Sequence, residues 1–232
     1  MQKLILFDVD YTLVRGSKLH KKALVQGIKE IFGIEADIDR VNLPGMTDWQ
    51  IILDLLRLYK IPESELTTSN IKKCMAKAVE YYVNNKDEEN TTLLEGVRET
   101  LELLSRINNI ILGLLTGNIE EIAYGKLESV GIAEYFKVGG FGSDHIIRSK
   151  LVDIALQRAG KKFGFVRNNN VFIVGDTPKD VRAAKEAGVY CIAVATGKFG
   201  IDELKNTGAD LVLKNLTSIN NFLDFVNNTS VN

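Results

Sequence analysis

Five short apolar runs of strand length punctuate the chain: Leu4 to Asp8, Ile110 to Leu115, Val171 to Val174, Tyr190 to Val194 and a weaker one at Asp210 to Leu213. Their hydrophobicity is continuous rather than alternating, which is what a strand covered on both faces requires. After the second run, Ile119, Ile122, Ala123, Leu127 and Val130 fall on one helical face, and after the third Val181, Ala184 and Ala187 do. Strands alternating with helices in this way predict an α/β fold built on a doubly wound parallel sheet. The rhythm breaks between the first and second runs. Residues Lys18 to Asn85 contain no convincing strand but three amphipathic stretches, carried by Ala23, Leu24, Ile28 and Ile31, by Trp49, Ile52, Leu53 and Leu56, and by Ile71, Met75, Val79 and Tyr82. Thr47, followed three residues later by Gln50, marks the start of the second. A helical unit is therefore expected directly after the first strand. Its crossings fall at Arg15-Gly16-Ser17 and Asp87 to Thr92, dividing the chain into a core of residues 1–15 and 92–232 and a helical cap of residues 16–91. Lys86 to Glu89 and Asn168 to Asn170 read as solvated loops.

Composition narrows the function classes. Of 232 residues, 45% are hydrophobic and 25% charged, which excludes wholesale disorder, and a net charge of -1 argues against a broad clamp for a nucleic acid polymer or an anionic membrane. Cys74 and Cys191 are too few for a disulfide framework and lack zinc-site spacing, so each reads as a small buried residue. The N-terminal apolar run is far shorter than a secretory h-region and no stretch is long enough to span a bilayer, which makes the cytoplasm the expected compartment.

Candidate chemistry gathers at the ends of the apolar runs. Asp8 and Asp10 stand two residues apart at the end of the first, so their side chains point the same way. Two carboxylates there are costly unless a cation sits between them, and a divalent metal meets that need. Another run closes as Ile173-Val174-Gly175-Asp176 before Thr177-Pro178-Lys179-Asp180. Thr177 as N-cap, Pro178 at the first helical position and Asp180 make an ordinary helix start, which leaves Asp176 unexplained. In a doubly wound sheet Asp8, Asp10 and Asp176 would converge outside the carboxyl ends of the strands. The second run ends in Thr116-Gly117-Asn118. Asn118 with Glu121 could be a capping pair, while a hydroxyl followed by glycine at a helix start is a ready anion site.

The motifs LILFDVDYTL, LLTGN and IVGDTPKD, in this order on these strands, resemble the haloacid dehalogenase (HAD) superfamily. The helical insert resembles its type C1 cap, as in phosphoglycolate phosphatases and β-phosphoglucomutases. The resemblance implies a Rossmann-like core in which Asp8 is the nucleophile that forms an aspartyl-phosphate and Asp10 the general acid and then base. It implies Mg2+ held by Asp8, the backbone carbonyl of Asp10, and Asp176, with Asp180 in support. Thr116 and the N–H groups of Gly117 and Asn118 would hold the phosphoryl oxygens. The family also uses a cation, here Arg148 or Lys150, with Arg148 the better aligned. Tyr11 stands where the family most often has glycine.

Phosphate ester chemistry is favoured over dehalogenation because the second acid, Asp10, is present. A mutase would need to grip a second phosphate, and Leu43-Pro44-Gly45-Met46-Thr47-Asp48-Trp49 in the cap carries no Lys or Arg. The leading expectation is a Mg2+-dependent phosphatase acting on a small phosphorylated metabolite, resembling phosphoglycolate phosphatase, as a monomer or weak homodimer. The alternatives are a β-phosphoglucomutase-type mutase and a non-catalytic binding or regulatory protein. His20 on an amphipathic helix and His145 in a loop read as structural. Trp49, Met46 and Tyr82 belong either to the cap's core or to its substrate face.

Overall fold

A computed structural model describes residues 1–167 and 169–229, so Asn168 of the Asn168 to Asn170 stretch and residues 230–232 lie outside the described residues. Its centre is a six-stranded sheet of β1 (Lys3–Phe7), β4 (Ile110–Leu115), β5 (Val138–Gly140), β6 (Val171–Gly175), β7 (Tyr190–Val194) and β8 (Leu211–Leu213). The order is β5-β4-β1-β6-β7-β8, and every neighbouring pair is parallel. Two further short strands, β2 (Val14–Arg15) and β3 (Thr92–Leu93), pair antiparallel where the chain leaves and re-enters this layer. The doubly wound α/β architecture expected from the apolar runs is the one observed.

The continuous hydrophobicity of the strands follows from burial on both faces. Ile5 and Phe7 point into one core cluster and Leu4 and Leu6 into the other, and all four are fully buried. Full burial of such a side chain contributes about 1.5–3 kcal/mol. The first cluster is closed by α4 (Val97–Ser105), α5 (Glu120–Ser129) and α9 (Ile219–Asn228), the second by α6 (Arg148–Phe163), α7 (Pro178–Ala187) and α8 (Ile201–Asn206). The β5 strand, Val138-Gly139-Gly140, has no counterpart among the expected runs, because two of its three residues are glycines and carry no hydrophobic signal.

Between β2 and β3 stand α1 (Lys18–Phe32), α2 (Asp48–Leu58) and α3 (Thr68–Asn84), with no strand among the described residues. They share a third apolar cluster that also takes in Ile119 at the cap of α5 and Ile122 within it. Each begins at a hydroxyl cap: Ser17, Thr47 and Thr67 accept from the backbone N–H three residues on. Gln50 does not return the bond to Thr47; its amide donates to Asp54 instead. The polar return crossing is partly ordered, since residues Lys86–Glu88 form a 3₁₀ turn and Thr92 opens β3. No described helix is long and apolar enough to cross a membrane. Both cysteines are buried and free.

Candidate active site

The chain direction across the sheet reverses at β1: β4 and β5 lie on one side of it, β6, β7 and β8 on the other. Loops leaving β1, β4 and β6 therefore splay apart at their carboxyl ends and leave a crevice. Asp8 follows β1, Thr116 follows β4 and Asp176 follows β6, and all three are buried there. A cavity of 690 Å³ opens between this crevice and the helical insert, lined among others by Asp8, Asp10, Asn118, Lys126, Arg148 and Asp176.

Asp8 and Asp10 line the same cavity but are held by different cations. The guanidinium of Arg148, the first residue of α6, lies 3.1 Å from Asp8 Oδ1 and donates to Asp180 Oδ1 at 2.5 Å. It also donates to the carbonyl of Leu115 at 3.2 Å. Burial alone would favour the neutral arginine, but the carboxylates of Asp180 and Asp8 outweigh it and hold the charge more firmly than usual. Lys150 is placed elsewhere. Its side chain is 59% exposed and faces Asp153, 3.7 Å away, so Lys150 is a surface residue and, of the two expected cations, Arg148 is the one that reaches the crevice. The reason is helical geometry: two positions along α6 turn the side chain away from the crevice.

Asp8, Asp176 and Asp180 are all buried and bring one carboxylate oxygen each within 4.8 Å of one another. Burial pushes the Asp8 carboxyl up to about 7, against the pull of Arg148 and with the charges of Asp180 and Asp10 adding to the rise. Burial, then the charges of Asp180 and Asp8, push Asp176 up to about 9. Such a cluster of hard oxygen donors is short of positive charge and fits a divalent cation such as Mg2+. Asp180 is fastened in place: its Oδ2 accepts from Thr177 N–H at 3.0 Å and Thr177 Oγ1 at 2.7 Å, completing a reciprocal capping box at the start of α7. The expected helix start is thus present, and the same acid also reaches the carboxylate cluster.

The Asp10 side chain turns from this cluster toward Lys126, whose Nζ donates to Oδ1 at 2.7 Å and Oδ2 at 2.8 Å. Asn118 Nδ2 donates to Oδ2 at 2.8 Å. Burial would raise the Asp10 carboxyl, yet the charge of Lys126 with these hydrogen bonds holds it below the usual range. Asn118 therefore does not cap a helix through Glu121; α5 begins after Ile119 with no side-chain cap. Thr116 is fully buried and its Oγ1 accepts from Asn118 N–H at 3.2 Å.

The insert reaches down onto these loops. Asp48 N–H donates to Gly117 O at 2.7 Å, Asp48 Oδ2 accepts from Ile119 N–H at 2.7 Å, and Thr47 Oγ1 donates to Ile146 O at 3.1 Å. A Cβ on Gly117 would sit 1.9 Å from the carbonyl oxygen of Met46, so only glycine admits this approach. Tyr11 adopts a left-handed backbone with φ 57°, the region glycine enters freely. Tyr11 lines the cavity and its carbonyl accepts from the Thr196 hydroxyl.

Three residues that sequence reasoning passed over or read as structural belong here: Lys126, Asp48 and His20. His20 Nε2 lies 2.9 Å from Asp48 Oδ2 and its Nδ1 3.0 Å from Lys126 Nζ, and all three line the cavity. Met46 also lines it, whereas Tyr82 is buried with its hydroxyl donating to Glu89 at 2.6 Å and Trp49 packs into the insert's cluster. His145 stays in its loop, where Nδ1 accepts from Ile147 N–H.

The chain is similar to known proteins along most of its length. A phosphoglycolate phosphatase of Pseudomonas aeruginosa is 27% identical over 222 residues, covering 94% of this chain and 79% of its own. A protein of Haemophilus somnus described as a predicted phosphoglycolate phosphatase superposes with a TM-score of 0.66 at 22% identity, covering 96% of this chain and 98% of its own. CbbY of Rhodobacter sphaeroides, solved in complex with phosphate, gives a TM-score of 0.69 at 22% identity, covering 94% of this chain and 96% of its own. Residues 5–194 match the family model for haloacid dehalogenase-like hydrolases, and the chain belongs to that family.

Proposed function

We propose that the protein is a phosphatase that hydrolyses a small-molecule phosphate monoester through an aspartyl-phosphate on Asp8. The observation that carries this reading is the setting of Asp8: a buried carboxylate at the switch point of the sheet, 3.1 Å from Arg148 and clustered with Asp176 and Asp180 at the floor of the cavity. A carboxylate attacks a phosphoryl group only where positive charge and donors offset the repulsion between them.

Asp8, Asp176 and the backbone carbonyl of Asp10 would hold Mg2+, with Asp180 beside them. When bound, the ion neutralises the carboxylates and the charge that develops on the phosphoryl oxygens. Arg148 supplies the fixed cation, itself held by Asp180. At the end of β4, Thr116 and the backbone N–H groups of Gly117 and Asn118 would hold the phosphoryl oxygens, the Asn118 N–H exchanging its bond to Thr116 Oγ1 for one to substrate. Asp10, which Lys126 and Asn118 hold ionised in the resting site, must take up a proton before it can give one to the leaving alcohol, and as the carboxylate it then takes one from the attacking water.

Leu43, Pro44, Gly45 and Met46 give the cavity an apolar wall with no cation, while Lys18, Lys21 and Lys198 line it elsewhere and suit a second anionic group on the substrate, such as the carboxylate of 2-phosphoglycolate. The test is turnover of p-nitrophenyl phosphate and a panel of metabolite monoesters, 2-phosphoglycolate included, with Mg2+ and with EDTA. Mg2+-dependent phosphate release is expected, and activity no greater than that of Asp8→Asn would refute the reading.

A further inference from the structure

Lys126 occupies a position where sequence logic calls for an apolar residue. It lies in the interior of α5, on the face that carries Ile122, Ala123 and Leu127, and its side chain is only 1% exposed. An ammonium in such a place is strongly disfavoured unless its protons are met, while a methionine would fill the space without that penalty. Four acceptors surround its three protons: both oxygens of Asp10 at 2.7 and 2.8 Å, Asn118 Oδ1 at 2.7 Å and His20 Nδ1 at 3.0 Å.

Two side chains are oriented at once by this arrangement. The Asn118 amide presents its oxygen to Lys126 and its nitrogen to Asp10 Oδ2, so the lysine decides which way the amide faces. The Asp10 carboxylate then receives three N–H donors, and its plane is set relative to the cavity that Asp8 also lines. Lys126, Asn118 and Asp10 all belong to the sheet-bearing part of the chain, and only His20 comes from the helical insert.

We propose that Lys126 is a positioning residue that holds the Asp10 carboxyl group in line with the leaving oxygen of the ester. This rests on the phosphatase reading and adds to it a residue outside the three motifs. Proton transfer demands a donor within hydrogen-bond reach, and a displacement of about 1 Å can cost about 100-fold in rate.

The experiment compares wild type, Lys126→Met, Asp10→Asn and the double variant in single turnovers with enzyme in excess, so that only transfer to Asp8 is read. Two esters are used: p-nitrophenyl phosphate, whose phenolate departs without a proton, and the alkyl monoester that the wild type cleaves fastest. Lys126→Met is expected to lose about 100-fold on the alkyl ester but no more than about 10-fold on the nitrophenyl ester, at similar half-saturation. The double variant is expected to be no slower than Asp10→Asn, since the two residues act as one. Equal losses on both esters, or losses that multiply in the double variant, overturn the proposal. Should Lys126→Met not fold, Lys126→Gln takes its place. Wild-type protein that cleaves neither ester defeats the phosphatase reading instead. A crystal structure of the Lys126 variant then decides: Asp10 turned from its wild-type rotamer supports the positioning role, and Asp10 unmoved overturns it.

Discussion

Removing or supplying Mg2+ should change the stability of this protein by an amount that depends on pH. Asp8, Asp176 and Asp180 bring oxygens within 4.8 Å of one another. At that separation two like charges in an effective dielectric of about 20 repel by about 3.5 kcal/mol. Arg148 compensates Asp8 and Asp180, which it touches, and leaves Asp176 the poorly matched member. The metal-free chain relieves the repulsion with protons: the folded state holds them on Asp8 up to about 7 and on Asp176 up to about 9, against an ordinary aspartate value of 3.8. That proton-linked stabilisation is complete below 3.8 and is lost as pH rises through both folded values. Melting in EDTA should therefore weaken across that window. Saturating Mg2+ replaces the protons, so its benefit grows with pH. Relief of one such pair raises the melting temperature by roughly 7–14 °C for a chain of this size. The assay is thermal unfolding in Mg2+ and in EDTA at matched ionic strength, at about pH 5 and about pH 9. Asp176→Asn should be more stable than wild type in EDTA at high pH and respond weakly to Mg2+. A Mg2+ gain that is equal at both pH values, or undiminished in Asp176→Asn, would refute the reasoning.

Exchanging the two candidate cations separates site from surface: Arg148→Met should lower kcat by at least about 100-fold, while Lys150→Met leaves kcat and KM within about twofold and stability within about 0.5 kcal/mol, as initial rates and melting curves would read. Gly117→Ala drives a Cβ to 1.9 Å from Met46 O, so it should destabilise the protein by about 1–3 kcal/mol in urea unfolding and loosen the insert's seat on the β4 loop. Glu89 joins the two crossings, with Oε2 accepting from Ser17 at 2.9 Å and Tyr82 at 2.6 Å and Oε1 from Thr91 at 2.8 Å. Burial would raise its carboxyl, but these bonds and the Lys126 charge hold it low, so its stabilisation is present above the ordinary glutamate range and lost as pH falls below it. Glu89→Gln should therefore melt earlier than wild type at neutral pH and converge with it in acid.

What the sequence reveals and what it hides here divide along physical lines. Strands β1, β4, β6 and β7 and the three helices of the insert announce themselves because burial on two faces, or on one, writes a periodic signal into the residues themselves. Asp8, Asp176 and the Thr116 loop were legible because each ends such a strand, and a strand's end is a local property. β5 was not, since paired glycines carry no side chain to pattern. Alignment along α6 favours Arg148 over Lys150 only narrowly, because the choice turns on where α6 begins and which way its first turn faces.

Lys126 and His20 are the more instructive misses, because both left a trace. Each sits on the buried face of an otherwise apolar helix, His20 among Leu19, Ala23 and Leu24, and Lys126 among Ile122, Ala123 and Leu127. A polar residue on such a face has only a few physical outcomes: it snorkels to water, it pairs, or it is replaced by something apolar. Read singly, each invites the bland explanation of a satisfied core polar group. Their meaning lies in their being each other's partners, 3.0 Å apart across 106 positions of sequence, with Asp10 and Asp48 at either end. No local pattern encodes that pairing. It follows from the sheet reversing at β1, which sets α5 beside the first strand, and from α1 starting where that strand's loop ends. Two buried polar residues on separate apolar helices of one α/β chain are thus a pairing hypothesis in themselves, and the strand-end acid nearest them is the group they would hold.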